Sequence, residues 1–353
     1  MVIMENNGQH RNLTEREAAV LGALVFEYIS TGKPVGSRSF VQKYSFNISP
    51  ATMRNIMFDL ESMEYLAQPH TSAGRVPTDK GYRYYVDRLV GSYELKNADF
   101  SGIRSDMLTR EIELNKMFES VTRMLSDVSK YAGVILTPKP DFTVVKHIEL
   151  VPLGHGNLLF ILVTRTGIVL NKRVTVSQTL NQDELHRFSK YLTSELNGYS
   201  IFSIKDSVLG ELRSGLNPNN EMQLAIDIVE LALTEDESQE LYIEGLENIL
   251  KIPEMVDESL LLPFLHLIED RKNLIVILKR NMRSDGVSTL IGEEIDQASI
   301  TGCSLVTSTY KIGNNHVGVV GIIGPTRMNY KTVVPLVDYT GKVVTELLTK
   351  MSK

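Results

Sequence analysis

The chain has 353 residues, 42% hydrophobic and 23% charged, with a net charge of −6, the composition of a soluble globular protein long enough for two or three cores. Its one cysteine, Cys303, excludes an internal disulfide framework and a cysteine-built zinc site. No apolar run approaches the roughly 20 residues that span a bilayer, and the opening MVIMENNGQHRNL holds no signal-peptide core, so the expected compartment is the cytoplasm.

Charge is sorted along the chain. Lys33 to Arg88 holds eight basic residues against five acidic ones, while 230–258 holds ten acids and one lysine. A weakly basic N-terminal part is therefore set apart from an acidic later part.

Residues 14–30, TEREAAVLGALVFEYIS, open with Thr14 and Glu17 at capping-box spacing. Val20, Leu21, Leu24, Val25 and Tyr28 then share one helical face. Gly and Pro in TGKP at 31–34 end this helix. A short helix is expected in GSRSFVQKYSF, with Ser37 as its cap and Phe40, Val41 and Tyr44 on one side.

Ser49 followed by Pro50 marks a third start. Met53, Ile56, Met57, Leu60 and Met63 repeat at helical spacing and face a core. Thr52, Arg54 and Asn55 lie on the opposite face near the leading end. A short helix, a tight turn and an amphipathic helix form the order of a helix-turn-helix, whose second helix enters the major groove N-terminus first. Taken alone, Arg54 and Asn55 are also compatible with an ordinary solvated face.

The following segment weighs against that blander reading. YLAQPH and RVPT pair as a small ribbon around the turn TSAG at 71–74, in which Gly74 suits a positive φ. Thr78 caps a fourth helix with Tyr82, Tyr85, Val86 and Leu89 on its apolar face. A ribbon placed directly after a recognition helix is a wing. Its tip offers His70, Thr71, Ser72 and Arg75, short donors plus one guanidinium suited to phosphate and minor-groove contact. Ser72 has no base at a motif spacing, His70 has no neighbouring carboxylate, and TSAGRVPT lacks the P-loop pattern, which argues against a catalytic or nucleotide loop.

Residues 103–130 read as a long amphipathic helix with Ile112, Met117, Phe118, Val121, Met124, Leu125 and Val128 in its stripe. A buried strand AGVILTP follows, then a meander of VVKHIELVPL, NLLFILVT and GIVLNKRVTV, with GHGN at 154–157 as a hairpin turn. Helices are expected at 181–196, 203–214, 220–234 and 257–270. Four strands, NLIVILK, VSTLIGEEI, SLVTSTYKI and HVGVVGIIG, then precede a closing helix over 330–350. A sheet with helices at both ends and a helix-rich block in the middle suggests an α+β domain carrying an insertion.

No catalytic constellation emerges from this part. Seven histidines are scattered without an H-x-x-x-H pair, and the acids of 230–258 read as solvated faces. In GPTRMNY, Arg327 is expected to donate to a carboxylate across a domain or dimer contact, or to helix C-terminal carbonyls.

Several segments together resemble the HrcA family of heat-inducible transcription repressors. They are TGKPVGSRSF, SPATMRNIMFDLESMEYLAQPHTSAGRVPTDKGYRYYVDRL, LYIEGLENIL at 241–250 and GIIGPTRMNYKTVVPLVDY at 321–339, and the likeness runs from about residue 13 to the C-terminus. Met53 stands where the family usually has a branched aliphatic, and SMEYL stands where a glycine often precedes the leucine or tyrosine.

The resemblance implies an α+β multidomain protein: a winged helix-turn-helix, then a GAF-like domain holding an inserted dimerisation domain. The expected limits are 1–92, then 93–145 with 239–353, and 146–238 for the insertion. Alternatively, the meander at 144–176 belongs to the GAF-like sheet and the insertion begins later. The resemblance also implies a homodimer on the CIRCE inverted repeat ahead of chaperone operons, brought to its active form by the GroEL chaperonin, with neither catalysis nor a cofactor. On that reading Thr52, Arg54 and Asn55 reach base edges and Ser49 with the helix N-terminus meets phosphate. Ser37, Arg38, the wing residues, Lys80 and Arg83 neutralise the backbone. A regulator whose GAF-like body binds a metabolite is the second reading.

Overall fold

The computed structural model describes residues 13–71, 73–92, 114–138, 143–165, 167–178, 180–215, 221–233, 239–282, 286–295, 302–312 and 315–351. Among these residues it is a mixed α+β protein with three separate sheets.

Four helices and one ribbon make the first part. Helix α1 (Glu15–Thr31) starts on the expected reciprocal cap between Thr14 and Glu17 and stops at Gly32, which is left-handed at φ 65. Helix α2 (Ser37–Tyr44) is capped at Gly36 without a side-chain bond, so Ser37 is its first helical residue and not its cap. Helix α3 (Pro50–Ser62) starts on Ser49. Strands β1 (Leu66–Ala67) and β2 (Val76–Pro77) pair antiparallel, and helix α4 (Asp79–Ser92) follows. Val20, Leu21, Leu24, Phe40, Met53, Leu60, Leu66, Tyr82 and Val86 close one core. The side chain of Leu89 lies outside the described residues.

Gly74 is required for a different reason from the one expected. It is absent from the positive-φ residues. A Cβ there would instead lie 2.4 Å from the backbone carbon and oxygen of Val35. The adjacent Arg75 and Val35 exchange two backbone hydrogen bonds of 2.9 Å, stitching the ribbon to the α1–α2 linker. This close approach joins segments some forty positions apart, which local turn rules do not register.

The body is built on a five-stranded antiparallel sheet ordered β7-β3-β10-β9-β8. Its strands are β3 (Ala132–Leu136), β7 (Leu241–Glu244), β8 (Val287–Ile291), β9 (Cys303–Ile312) and β10 (Asn315–Pro325). Both faces are covered. Helix α5 (Leu114–Ser129) and the last helix (Tyr330–Met351) join the face that carries Ile135, Val306 and Tyr310. Helices over Glu258–Glu269 and Arg271–Asn281 cover the face carrying Ala132, Val134, Leu136 and Leu305. Alternation along β3 thus supplies both cores.

Arg271–Asn281 corrects an expectation, since NLIVILK is helical and not a strand. Asp270 accepts from the Asn273 N–H at 3.1 Å and starts the helix. Leu274, Ile277 and Leu278, at i, i+3, i+4, are the buried residues, while Val276 stays 48% exposed. A short apolar run suits either period, and the cap decides. In α5, Val128 likewise leaves the expected stripe and is 42% exposed, while Thr122 and Ser126 are buried in its place.

Between β3 and β7 the chain builds its own sheet, ordered β4-β5-β6 (Val145–Gly154, Asn157–Thr164, Val169–Thr175), whose strands, among the described residues, pair with no strand of the five-stranded sheet. Helices Gln182–Leu196 and Met222–Leu233, with an irregular helical stretch from Ile201 to Gly215 that includes a π turn at Ile204–Val208, cover one face of it around a separate core.

Candidate nucleic-acid interface

The lip of α3 is set by its own sequence. Ser49 Oγ accepts from the Thr52 N–H at 3.1 Å and lies 2.9 Å from the Thr52 hydroxyl, so Thr52 is held against the cap. At about 100° per residue, Met53, Ile56, Met57 and Leu60 fill one side of the helix and Ala51, Arg54, Asn55, Phe58 and Ser62 the other. The exposures agree: the first four are buried and the second five exposed. Arg54 forms no ion pair among the described residues, and neither does Arg38, exposed near the start of α2. Ser37 is half-buried beside it.

Phe58 escaped the sequence reading. It is 60% exposed, one turn beyond Arg54 and Asn55. Its signal was phase: it is an apolar residue on the side of the helix opposite the core.

The loop between β1 and β2 is internally braced. Gln68 Nε2 donates to the carbonyls of Thr71 and Ala73, each at 3.0 Å, and the Ala73 N–H donates to the His70 carbonyl at 2.8 Å. His70 and Thr71 are exposed at this tip, and Ser72 lies outside the described residues.

Three of the expected backbone-neutralising cations are only partly exposed and already engaged by other groups of the protein. Arg75 is only 17% exposed and pairs with Glu61 of α3 at 2.7 Å, so it braces the ribbon against the helix. Lys80 donates to the Met63 carbonyl at 2.9 Å, lies 4.8 Å from the centre of the Tyr65 ring, and reaches Glu64 at 3.8 Å. Arg83 turns toward the body, donating from Nε to Glu294 at 2.8 Å and from a terminal nitrogen to the Thr289 carbonyl at 2.5 Å. The reason is positional: Asp79, Tyr82 and Arg83 share the α4 face that packs on the body. Burial raises the Asp79 carboxyl above its usual range, and the bond from the Glu293 N–H works against that rise.

What remains outward is a helix lip with Ser49, Thr52, Arg54, Asn55 and Phe58, a tip with His70 and Thr71, and Arg38. This surface can accept and donate hydrogen bonds, offer cations and make one aromatic contact. Among the described residues it holds no assembled general base or nucleophile.

Residues 115–334 match the family model described as HrcA protein C terminal domain. A heat-inducible transcription repressor HrcA of Geobacter sulfurreducens is 38% identical, covering 96% of this chain and 98% of its own. Repressors of that name from Syntrophobacter fumaroxidans and Leptospira biflexa are 36% and 34% identical over similar spans. A crystal structure described as a hypothetical protein shares the fold, with a TM-score of 0.65 at 24% identity, covering 97% of this chain and 100% of that one. The chain belongs to the HrcA family of heat-inducible transcription repressors, which are regulators and not enzymes.

Proposed function

We propose that the chain represses chaperone operons in the cytoplasm by occupying the CIRCE inverted repeat as a homodimer, with the GroEL chaperonin promoting its active form. The observation that carries this reading is the outward side of α3, where Arg54, Asn55 and Phe58 stand free of the core. Residues 1–92 then act as a winged helix, with α3 as the reading helix and the β1–β2 loop as the wing. Arg54 and Asn55 address base edges, Thr52 flanks them, and Phe58 meets a thymine methyl. Ser49 with the α3 N-terminus, together with Ser37, Arg38, His70, Thr71 and Ser72, grips phosphate. Lys80 and Arg83 join these only after leaving their present partners.

Residues 93–145 with 239–353 form the GAF-like domain on this reading, and 146–238 form the inserted dimerisation domain. Support for the division comes from the self-contained sheet and core of β4 to β6. That sheet has a second, open face. Leu159, Ile161 and Val163 of β5 lie there between Val151 and Val169, and none of them packs on a core cluster. A second copy of the chain is the proposed occupant, because an inverted repeat needs two reading helices related by a two-fold axis.

The test is a gel shift on a CIRCE duplex and a scrambled duplex at two salt concentrations, with and without GroEL. Preference for CIRCE that weakens with salt and is enhanced by the chaperonin supports the reading. Equal binding to both duplexes refutes it.

A further inference from the structure

The seam between α4 and the body withholds a residue that the proposed repressor uses. Both oxygens of Glu294 are held by the fork of Arg83, through Nε at 2.8 Å and through a terminal nitrogen. That same terminal nitrogen reaches the Thr289 carbonyl at 2.5 Å, and the other meets Asp87 at 3.2 Å. One turn earlier on the same face, Asp79 accepts from the Glu293 N–H at 3.2 Å. Its carboxylate occupies the space where a side chain at 292 would begin: a Cβ on Gly292 would lie 1.7 Å from Asp79 Oδ2. A side chain at 292 would have to displace the Asp79 carboxylate, and the left-handed φ of 54 at this position also favours glycine.

A second clasp sits at the end of α1. Arg327 donates to the Ile29 carbonyl at 2.6 Å and pairs with Glu254. Glu254 Oε1 would lie 3.0 Å from a Cβ on Gly32, so this glycine too leaves room for a body carboxylate. Between the clasps the Tyr82 and Tyr330 rings lie 6.2 Å apart. The second clasp is incompletely satisfied, because Arg327 Nε and Glu254 Oε2 are buried without partners. Buried polar atoms left unpaired weaken the state that contains them.

A guanidinium presents one fork, and bidentate capture of a carboxylate uses the same nitrogens as bidentate capture of a phosphate. We propose that the Arg83–Glu294 seam is an autoinhibitory clasp: in the resting repressor the body holds Arg83, and operator binding requires Arg83 to exchange Glu294 for a DNA phosphate. This rests on the reading of the chain as a DNA-binding repressor. Apparent affinity then equals intrinsic affinity reduced by the open fraction, so a clasp closed about nine-tenths of the time weakens binding about tenfold.

The experiment uses the full chain and a fluorescent CIRCE duplex, followed by anisotropy, with hydrogen exchange over 79–88 and 287–295 as a readout independent of DNA. Glu294→Gln removes the charge that holds Arg83 yet keeps an oxygen for the Ile291 N–H, which Glu294 now accepts at 3.0 Å. Gly292→Ala expels Asp79 without altering any DNA-facing residue. Both variants are expected to raise exchange in the two segments and to tighten CIRCE binding about five- to tenfold. In an Arg83→Ala background, Glu294→Gln is expected to give no tightening.

Unchanged exchange in both folded variants overturns the clasp. Raised exchange with wild-type affinity overturns the competition while leaving the DNA reading intact. If wild type and variants alike fail to prefer CIRCE over a scrambled duplex, the DNA reading itself falls, and the competition falls with it.

Discussion

Replacing Arg75 separates a brace from a phosphate contact. Its side chain is 17% exposed, that of Glu61 is 28% exposed, and the two meet at 2.7 Å. Exposed ion pairs contribute about 0–1 kcal/mol, whereas breaking a fully buried one costs about 3–5 kcal/mol. This pair lies between those limits. Arg75 Nε already lacks a partner, which keeps the value toward the low end, so Arg75→Ala should destabilise the N-terminal part by about 1–2 kcal/mol. Much of that loss is the half-buried Glu61 carboxylate left without its cation. Adding Glu61→Gln to Arg75→Ala should therefore recover part of it, a coupling that a double-mutant cycle of thermal or denaturant melts reads directly. Operator anisotropy across a salt series supplies the second axis. A brace leaves the slope of log affinity against log salt unchanged, whereas a phosphate contact would lower it by about 0.9 per site. A slope that falls by that amount in a variant with wild-type stability would refute the assignment of Arg75 as a brace.

Three further outcomes are expected. Gly74→Ala places a methyl 2.4 Å from the Val35 backbone and should cost about 1–3 kcal/mol through forced displacement of the ribbon; a wild-type melting profile would contradict the close approach. Ile161→Lys puts a charge in the middle of the open β4–β6 face and should convert the proposed dimer to monomer in sedimentation, with the far-ultraviolet circular dichroism unchanged; a retained dimer mass would move the interface elsewhere. Cys303 is 1% exposed, and burial pushes its thiol up to about 12, so iodoacetamide should label it only after denaturation, and stoichiometric labelling of the native protein would contradict its burial.

What the sequence made legible was local chemistry. The Thr14–Glu17 cap, the Ser49-Pro50 start and the Met53, Ile56, Met57, Leu60 stripe are short-range patterns, and each stands in the structure where its spacing places it. Where partners are distant, the pattern is silent. Arg83 looks like one more cation on a basic helix until residue 294 arrives beside it, 211 positions later. Arg75 follows the turn in sequence and so reads as part of the loop tip, yet its side chain pairs with Glu61 of the preceding helix. NLIVILK failed for another reason: an apolar heptamer fits both periods, and the deciding cap, Asp270, lies outside it. Phe58 carries no polar group, so only its phase on α3, opposite the core stripe, marks it in the sequence.

The central claim is that the outward side of α3 reads the operator. Arg54 is exposed and has no ion partner among the described residues, so Arg54→Ala should leave stability within about 0.5 kcal/mol of wild type. Its effect should fall on discrimination. Measured by competition anisotropy, the preference for a CIRCE duplex over a scrambled one should drop by about 5- to 150-fold, the equivalent of about 1–3 kcal/mol for one lost base contact. A folded Arg54→Ala protein that keeps the wild-type preference would show that another surface does the reading.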